Sequence, residues 1–184
     1  MRKEFRLAGE GGQGLITAAI ILAEACAEHT DLNAVQTQSY GPESRGGASR
    51  ADVIIADEDI DYPEIKRPEA LLVMAQEASD LYVPGVADGG TVIVDTTYVK
   101  SVPAVNARII RYPISEKARE LGREIVANMV ALGLLVGVTK VVPEDAVVAA
   151  IVDRVPRGTE DLNKKAFYAG IEAAEELQSR EEGD

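Results

Sequence analysis

Cysteine, histidine and tryptophan are all but missing from this 184-residue chain, which has one Cys (Cys26), one His (His29) and no Trp. A lone thiol closes no internal disulfide and cannot supply the several thiolates of an iron–sulfur cluster. A lone imidazole leaves too little for a histidine-rich metal centre. Positive charge is also scarce: 19 Lys and Arg face 31 Asp and Glu, for a net charge of −12. That balance excludes wrapping a nucleic-acid backbone and argues against direct docking on anionic lipid or an acidic electron carrier. Long apolar runs are lacking too. The longest uncharged apolar stretch, residues 125–139, is too short to span a bilayer and contains Asn128. The opening MRKEFRLAG has no apolar signal core. A cytoplasmic protein with neither membrane nor nucleic acid among its partners is expected.

What is present is globular. Hydrophobic residues make up 46% and charged residues 27%, enough apolar material to bury a core in one domain. The charge is uneven: the first fifty residues hold five Lys and Arg against six Asp and Glu, so an anionic ligand meets least repulsion there.

Residues 2–8 alternate, with Phe5 and Leu7 set among charges, and predict a first strand. A glycine-rich turn follows, Gly9-Glu10-Gly11-Gly12-Gln13-Gly14. Leu15, Ala19, Leu22 and Cys26 then recur at helical spacing, giving a helix over 15–28. A second strand is predicted over 33–38. The next twelve residues, 39–50, hold three glycines and a proline and exclude regular structure. Short strands are expected at 52–56, 71–74, 91–95 and 107–110, with a helical turn at 76–82. The second half turns helical: 115–121, an apolar helix over 123–138, one opened by Pro143-Glu144-Asp145 and running to about 154, and a last one over 159–177 before a frayed, charged tail. The expectation is a single three-layer α/β domain over 1–178 with a mostly parallel or mixed sheet, a Rossmann-like opening unit, a helical C-terminal part and a tail at 179–184.

Three readings fit the glycine turn. Gly9, Gly11 and Gly14 match G-x-G-x-x-G, the dinucleotide fingerprint, but no acid closes the second strand to hold a ribose, and Glu10 would face a pyrophosphate with like charge. No Lys-Ser/Thr follows, so a Walker loop is excluded. A tight βα turn that only packs the helix is the plain reading. A turn whose amides face an anion or a partner is the third. The loop that follows offers uncovered backbone at Gly41, Gly46 and Gly47, a ring at Tyr40, and guanidinium forks at Arg45 and Arg50. Such a loop is a ligand clamp, a docking surface or a solvated connection.

Taken together, GEGGQGLITAAIILAEA at 9–25 and QSYGPESRGGASRADVIIA at 38–56 resemble the gamma subunit of 2-oxoacid:ferredoxin oxidoreductases. The segments Asn128-Met129-Val130-Ala131-Leu132-Gly133 and Asn163-Lys164-Lys165-Ala166-Phe167 with Gly170 are similar to that family's helices, so the resemblance spans nearly the whole chain. SYGPESRGG is most like the 2-oxoglutarate branch; a pyruvate-type or branched-chain-type gamma subunit is the nearer alternative and a stand-alone NAD(P)- or flavin-binding protein the farther one. The resemblance implies a heteromeric enzyme that decarboxylates a 2-oxoacid to acyl-coenzyme A and reduces ferredoxin. Its thiamine diphosphate, Mg and iron–sulfur clusters would be held by alpha and beta subunits, with or without a delta subunit. Ferredoxin would meet this chain only through the complex, and the isolated chain would be inactive. Carried onto this sequence, the matching positions are Gly9, Gly11, Gly12, Gln13 and Gly14 in the turn, and Tyr40, Gly41, Pro42, Glu43, Arg45, Gly46 and Gly47 in the loop. The resemblance implies that they line an interface and part of a coenzyme A pocket; an assembly module with no ligand contact is the other reading. No catalytic residue is expected.

Four further residues read as structural. Cys26 lies on the apolar helix face as a buried thiol. His29 has no paired acid or cysteine motif. Asn128 needs hydrogen-bond partners on an otherwise apolar helix. Glu172, Glu175 and Glu176 form a solvated helix face.

Overall fold

Alternation does set the first strand. In the computed structural model, which describes residues 1–39 and 48–182, β1 (Arg2–Glu10) buries Phe5 and Leu7 on one face of a sheet and Ala8 on the other. Around it stand β2 (Asn33–Gln38), β3 (Ala48–Ala56), β4 (Ala70–Val73), β5 (Gly90–Asp95) and β6 (Ala107–Tyr112). The strand order is β2-β3-β1-β4-β5-β6. β3 pairs antiparallel with β1 and β2, while β4, β5 and β6 continue from β1 in parallel. The sheet is therefore mixed.

Two connections run in opposite directions from the middle of this sheet. Helix α1 (Leu15–His29) carries the chain from β1 to β2 at one edge. Helix α2 (Gln76–Tyr82) carries it from β4 towards β5 on the other side. The carboxyl ends of β1 and β4 thus flank a topological switch point, where open α/β sheets leave a crevice.

The layers are unequal. Helices α1, α3 (Ile114–Glu120), α4 (Ala127–Thr139), α5 (Glu144–Arg154) and α6 (Glu160–Glu182) share one core with Phe5, Leu7, Val53, Leu72 and Ile93. The opposite face carries α2 and the turn at Val83–Gly85 over Leu71, Val73, Val92 and Val94. Helix α4 is apolar all round because it is enclosed all round: Ala127 to Gly137 are buried without exception. It lies against α6 so closely that a methyl group at Gly133 would fall 1.9 Å from the Phe167 carbonyl oxygen, and one at Gly170 would fall 2.1 Å from that of Val130.

Several boundaries differ from the sequence reading, β4, β6 and α4 by a few residues and three others as follows. Gly9 and Glu10 are strand rather than turn, because β3 begins at Ala48 and pairs with them. β3 is accordingly longer than its apolar stretch, since its first residues are held by ladder bonds and not by hydrophobicity. Helix α6 runs on to Glu182 instead of stopping near 177, and Arg108 on β6 pairs with its Glu181. Among the described residues no helix is long and apolar enough to cross a membrane.

Candidate functional site

The glycine turn sits at the switch point, clamped by two side-chain amides. Gln13 Oε1 accepts from the Glu10 N–H at 2.8 Å, and Gln13 Nε2 donates to the Met74 carbonyl at 2.9 Å, just past the end of β4. This amide fills the space beside Gly9, where an added methyl would lie 2.2 Å from Gln13 Oε1. From the other side Asn128, at the start of α4, donates through Nδ2 to the Gly14 carbonyl at 3.1 Å. Gly14 is left-handed (φ 76°), and a methyl there would lie 2.6 Å from Asn128 Nδ2. Gly12 is also left-handed, at φ 87°, a conformation that costs glycine nothing.

Asn128 is thus a buried polar group satisfied by the turn, which couples the central helix to it. Asn128→Ala should cost about 1 kcal/mol in chemical denaturation, the net worth of one hydrogen bond with some packing loss. Gly14→Ala should cost more. Combining the two should recover the clash but not the backbone strain, so a double-mutant cycle by urea melts will show partial, not full, compensation.

The side chain of Gln13 ties the turn to the end of β4 and lines the cleft at the same time. Helix α1 starts at Gly14 with neither a side-chain cap nor an acid in its first turn, leaving its first N–H groups directed outward. The other predicted residues, Tyr40, Gly41, Pro42, Glu43, Arg45, Gly46 and Gly47, lie outside the described residues. Both ends of that segment can be placed. Ala48 pairs with Glu10, and the Ser39 N–H donates to the Arg50 carbonyl at 3.0 Å. Ser39 and Ala48 therefore both lie at the end of the sheet that carries the glycine turn.

The turn forms one wall of a cleft of about 800 Å³. Met74, Ala75 and the α2 residues Gln76, Glu77 and Asp80 form the second wall, and Tyr98, Ser115, Glu124, Ile125 and Ala127 the third. Sequence reasoning missed these last two walls. They come from three connections, 74–80, 98 and 115–127, that carry no glycine motif and are united only by the parallel order of β1, β4, β5 and β6.

Buried charge shapes the third wall. Asp95, fully buried at the end of β5, accepts from the Thr97 N–H at 3.0 Å and the Ser115 N–H at 3.3 Å through Oδ1, and from the Ser115 hydroxyl at 2.6 Å through Oδ2. It pins the start of α3. The Ser115 hydroxyl is held by the Asp95 carboxylate alone, with no histidine beside it: the single His29 ends α1, next to the start of β2. Tyr98 donates its hydroxyl to Glu124, whose other oxygen accepts from Arg119 at 3.1 Å. The Arg119 guanidinium also lies over the Tyr98 ring, 5.7 Å from its centre.

The bond to Glu124 pushes the Tyr98 phenol above the usual tyrosine range, and Arg119 holds Glu124 below the usual carboxylate range. The phenol is raised, so its bond contributes below the ordinary tyrosine value and is lost as pH rises through the raised one. Ultraviolet titration should show Tyr98 ionising late, together with Tyr62, raised by its bond to Glu64, and Tyr112, raised by burial, and Glu124→Gln should remove the Tyr98 share of that late phase alone. Cys26 is fully buried and its thiol is pushed up by that burial, unlike a cluster ligand or a nucleophile.

Comparison with known proteins agrees with this architecture. The family model for pyruvate ferredoxin/flavodoxin oxidoreductase matches residues 4–173. The 2-oxoglutarate synthase subunit KorC of Methanocaldococcus jannaschii is 46% identical over 96% of this chain and 96% of its own length. The same subunit of Methanothermobacter marburgensis is 48% identical over 97% of this chain and 100% of its own. Among solved structures, the gamma subunit of a keto/oxoacid ferredoxin oxidoreductase from Geobacter sulfurreducens shares 44% identity and superposes with a TM-score of 0.85, covering 94% of this chain and 98% of that one.

Proposed function

The chain belongs to the pyruvate ferredoxin/flavodoxin oxidoreductase family, and from that footing we propose that it is the gamma subunit of a cytoplasmic 2-oxoglutarate:ferredoxin oxidoreductase, with alpha and beta chains as its partners. The observation that carries the reading is near full-length identity to two 2-oxoglutarate synthase subunits, at 46% and 48%. Its own donor set matches a supporting role. One buried thiol does not fit an iron–sulfur cluster, and the serine of the described cleft is held by the buried Asp95 carboxylate with no histidine beside it. The redox cofactors therefore reside in neighbouring chains.

The glycine turn and the segment 40–47 form this chain's share of an interface. The described cleft does not fit the phosphates of coenzyme A, because Glu10, Glu77, Asp80 and Glu124 line it. Any contact with that cofactor falls to the loop side, where Arg45 and Arg50 lie in the sequence. Arg50 is one-third exposed, paired with Asp52 at 3.6 Å and set over the Tyr82 ring at 5.9 Å.

Omission and add-back test the subunit reading. Co-expressed thiamine- and cluster-bearing partner subunits should reduce ferredoxin with 2-oxoglutarate and coenzyme A when this chain is present. They should lose most of that activity, at least tenfold, without it. Equal activity with and without the chain contradicts the reading, and preference for pyruvate over 2-oxoglutarate reassigns the branch.

A further inference from the structure

His29 has no acid or cysteine motif in the sequence around it, but the fold supplies it with partners. Helix α1 packs against α5, and their last turns meet. There the carboxylates of Glu28 and Asp153 and the imidazole of His29 bring two oxygens and a nitrogen within 4.8 Å of one another. All three side chains are exposed, and none has a hydrogen bond or ion pair with a described residue. The neighbouring cation, Arg154, is already committed to Glu24, to which its Nε donates at 3.2 Å. Both acids also stand at the unfavourable end of their helices. Glu28 is next to last in α1 and Asp153 next to last in α5, where the outward carbonyls carry about half a negative charge per helix. Two carboxylates held together against two helix ends cost stability unless a cation joins them. The cluster is remote from the cleft, since the 15 residues of α1, about 22 Å of helix, separate it from the glycine turn. Ser39 and Ala48 lie at the turn's end of the sheet as well.

We propose that Glu28, His29 and Asp153 form a site for a divalent cation of the zinc class, which clips the end of α1 to the end of α5. The inference goes beyond the gamma-subunit reading and does not depend on it. The donor set decides the class of ion. An imidazole nitrogen suits zinc and its transition-metal neighbours, whereas magnesium and calcium take oxygen ligands. Three protein ligands leave at least one position of the shell to water, so the site is open rather than a sealed structural centre. Ligands about 2.0–2.2 Å from such an ion stand no more than about 4.3 Å apart, and a small rotation of these exposed side chains closes the set. The bound ion would cancel the repulsion between the acids and oppose both helix dipoles, so its effect is to stabilise the α1–α5 contact.

The test uses the full, tag-free chain, freed of metal by a chelator. His29 is its only histidine, so the imidazole resonances of its NMR spectrum report this site and no other. Added Zn²⁺ is expected to shift them saturably at one ion per chain, and Mg²⁺ at the same concentration to leave them in place. Glu28→Gln combined with Asp153→Asn should weaken that binding at least tenfold with the imidazole still present as reporter. His29→Gln should weaken it as much by calorimetry. With Zn²⁺ at about ten times its Kd the wild-type melting midpoint should rise by about 3 °C or more, and the variants' midpoints should not. In chelator the double variant should melt no lower than wild type, because it relieves two acids at helix ends. Imidazole resonances that ignore millimolar Zn²⁺ would overturn the proposal. So would an equal response to Mg²⁺, which would make the effect general charge attraction. Zn²⁺ binding of wild-type strength in both variants would place the ion elsewhere on this acidic surface and overturn it too.

Discussion

Replacing Gly170 with alanine is expected to cost this protein about 3 kcal/mol or more of its stability. The added methyl would lie 2.1 Å from the Val130 carbonyl oxygen and 2.6 Å from the Leu134 nitrogen, both backbone atoms of α4. Backbone cannot swing aside as a side chain can, so α4 and α6 must separate. Gly133→Ala meets the same wall from the other helix, 1.9 Å from the Phe167 carbonyl oxygen. Forcing an extra carbon into a packed core costs about 1–3 kcal/mol, and this contact belongs at or beyond the upper end. A domain stable by about 5–15 kcal/mol has little to spare. Urea melts should place Gly170→Ala and Gly133→Ala far below wild type. Gly85→Ala, where a methyl meets nothing within 4 Å, should change the midpoint little. The loss would reach the site as well, because α4 begins with Asn128, which holds Gly14.

Arg6→Ala should be nearly as costly, for an electrostatic reason. Arg6 and Asp52 are cross-strand partners on β1 and β3, both buried, and their side chains meet in a two-pronged pair at 2.8 and 2.9 Å. Arg6 also donates to the Ile65 carbonyl at 3.1 Å and lies 5.5 Å from the centre of the Tyr82 ring. Removing it leaves the Asp52 carboxylate buried, with Arg50 at 3.6 Å as its only remaining cation among the described residues. Breaking one side of a buried pair costs about 3–5 kcal/mol, whereas replacing both sides by apolar residues is often neutral. Arg6→Ala should therefore be less stable than Arg6→Met combined with Asp52→Leu by about 3 kcal/mol, on the order of a hundredfold in the unfolding equilibrium. The single change should also expose the irregular chain around Ile65 to proteolysis, since one of its anchors is gone. Arg6→Lys should not rescue fully, because an ammonium cannot reproduce the fork.

These two effects mark what the residue order disclosed and what it concealed. The strand–turn–helix opening was legible, because Phe5 and Leu7 alternate and the apolar residues from Leu15 to Cys26 recur at helical spacing. Strand β2 and helix α2 fall where the pattern placed them. Helix α4 was legible as an apolar segment, but its burial on every side shows only when α6 is laid across it. Gly133 and Gly170 gave no local sign of their role, since a glycine within a helix marks a close approach only once the other helix is known.

The site was half legible. Glycine-rich composition identified the turn, and Asn128 was recognisable as an amide in need of partners. Its acceptor, the Gly14 carbonyl, lies 114 positions away along the chain. The acidic walls of the cleft were not legible. Glu77 and Asp80 look like ordinary exposed acids of a short helix, and only the parallel order of β1, β4 and β5 brings them opposite Glu10. Gln13, read as lining a pocket, lines the cleft and is also a strap, its amide bonded to Glu10 and Met74.

The central claim is that the bend at Gly9–Gly14 and the segment 40–47 face neighbouring chains in the working enzyme. Hydrogen exchange on the free chain and on the assembled complex tests it most directly. Amides of residues 9–16 and 39–50, with those of α2, should become strongly protected on assembly, and residues 39–50 should gain further when coenzyme A is added. If those amides exchange alike in both states while the outer face of α6 becomes protected, the glycine edge points into water and the claim is wrong.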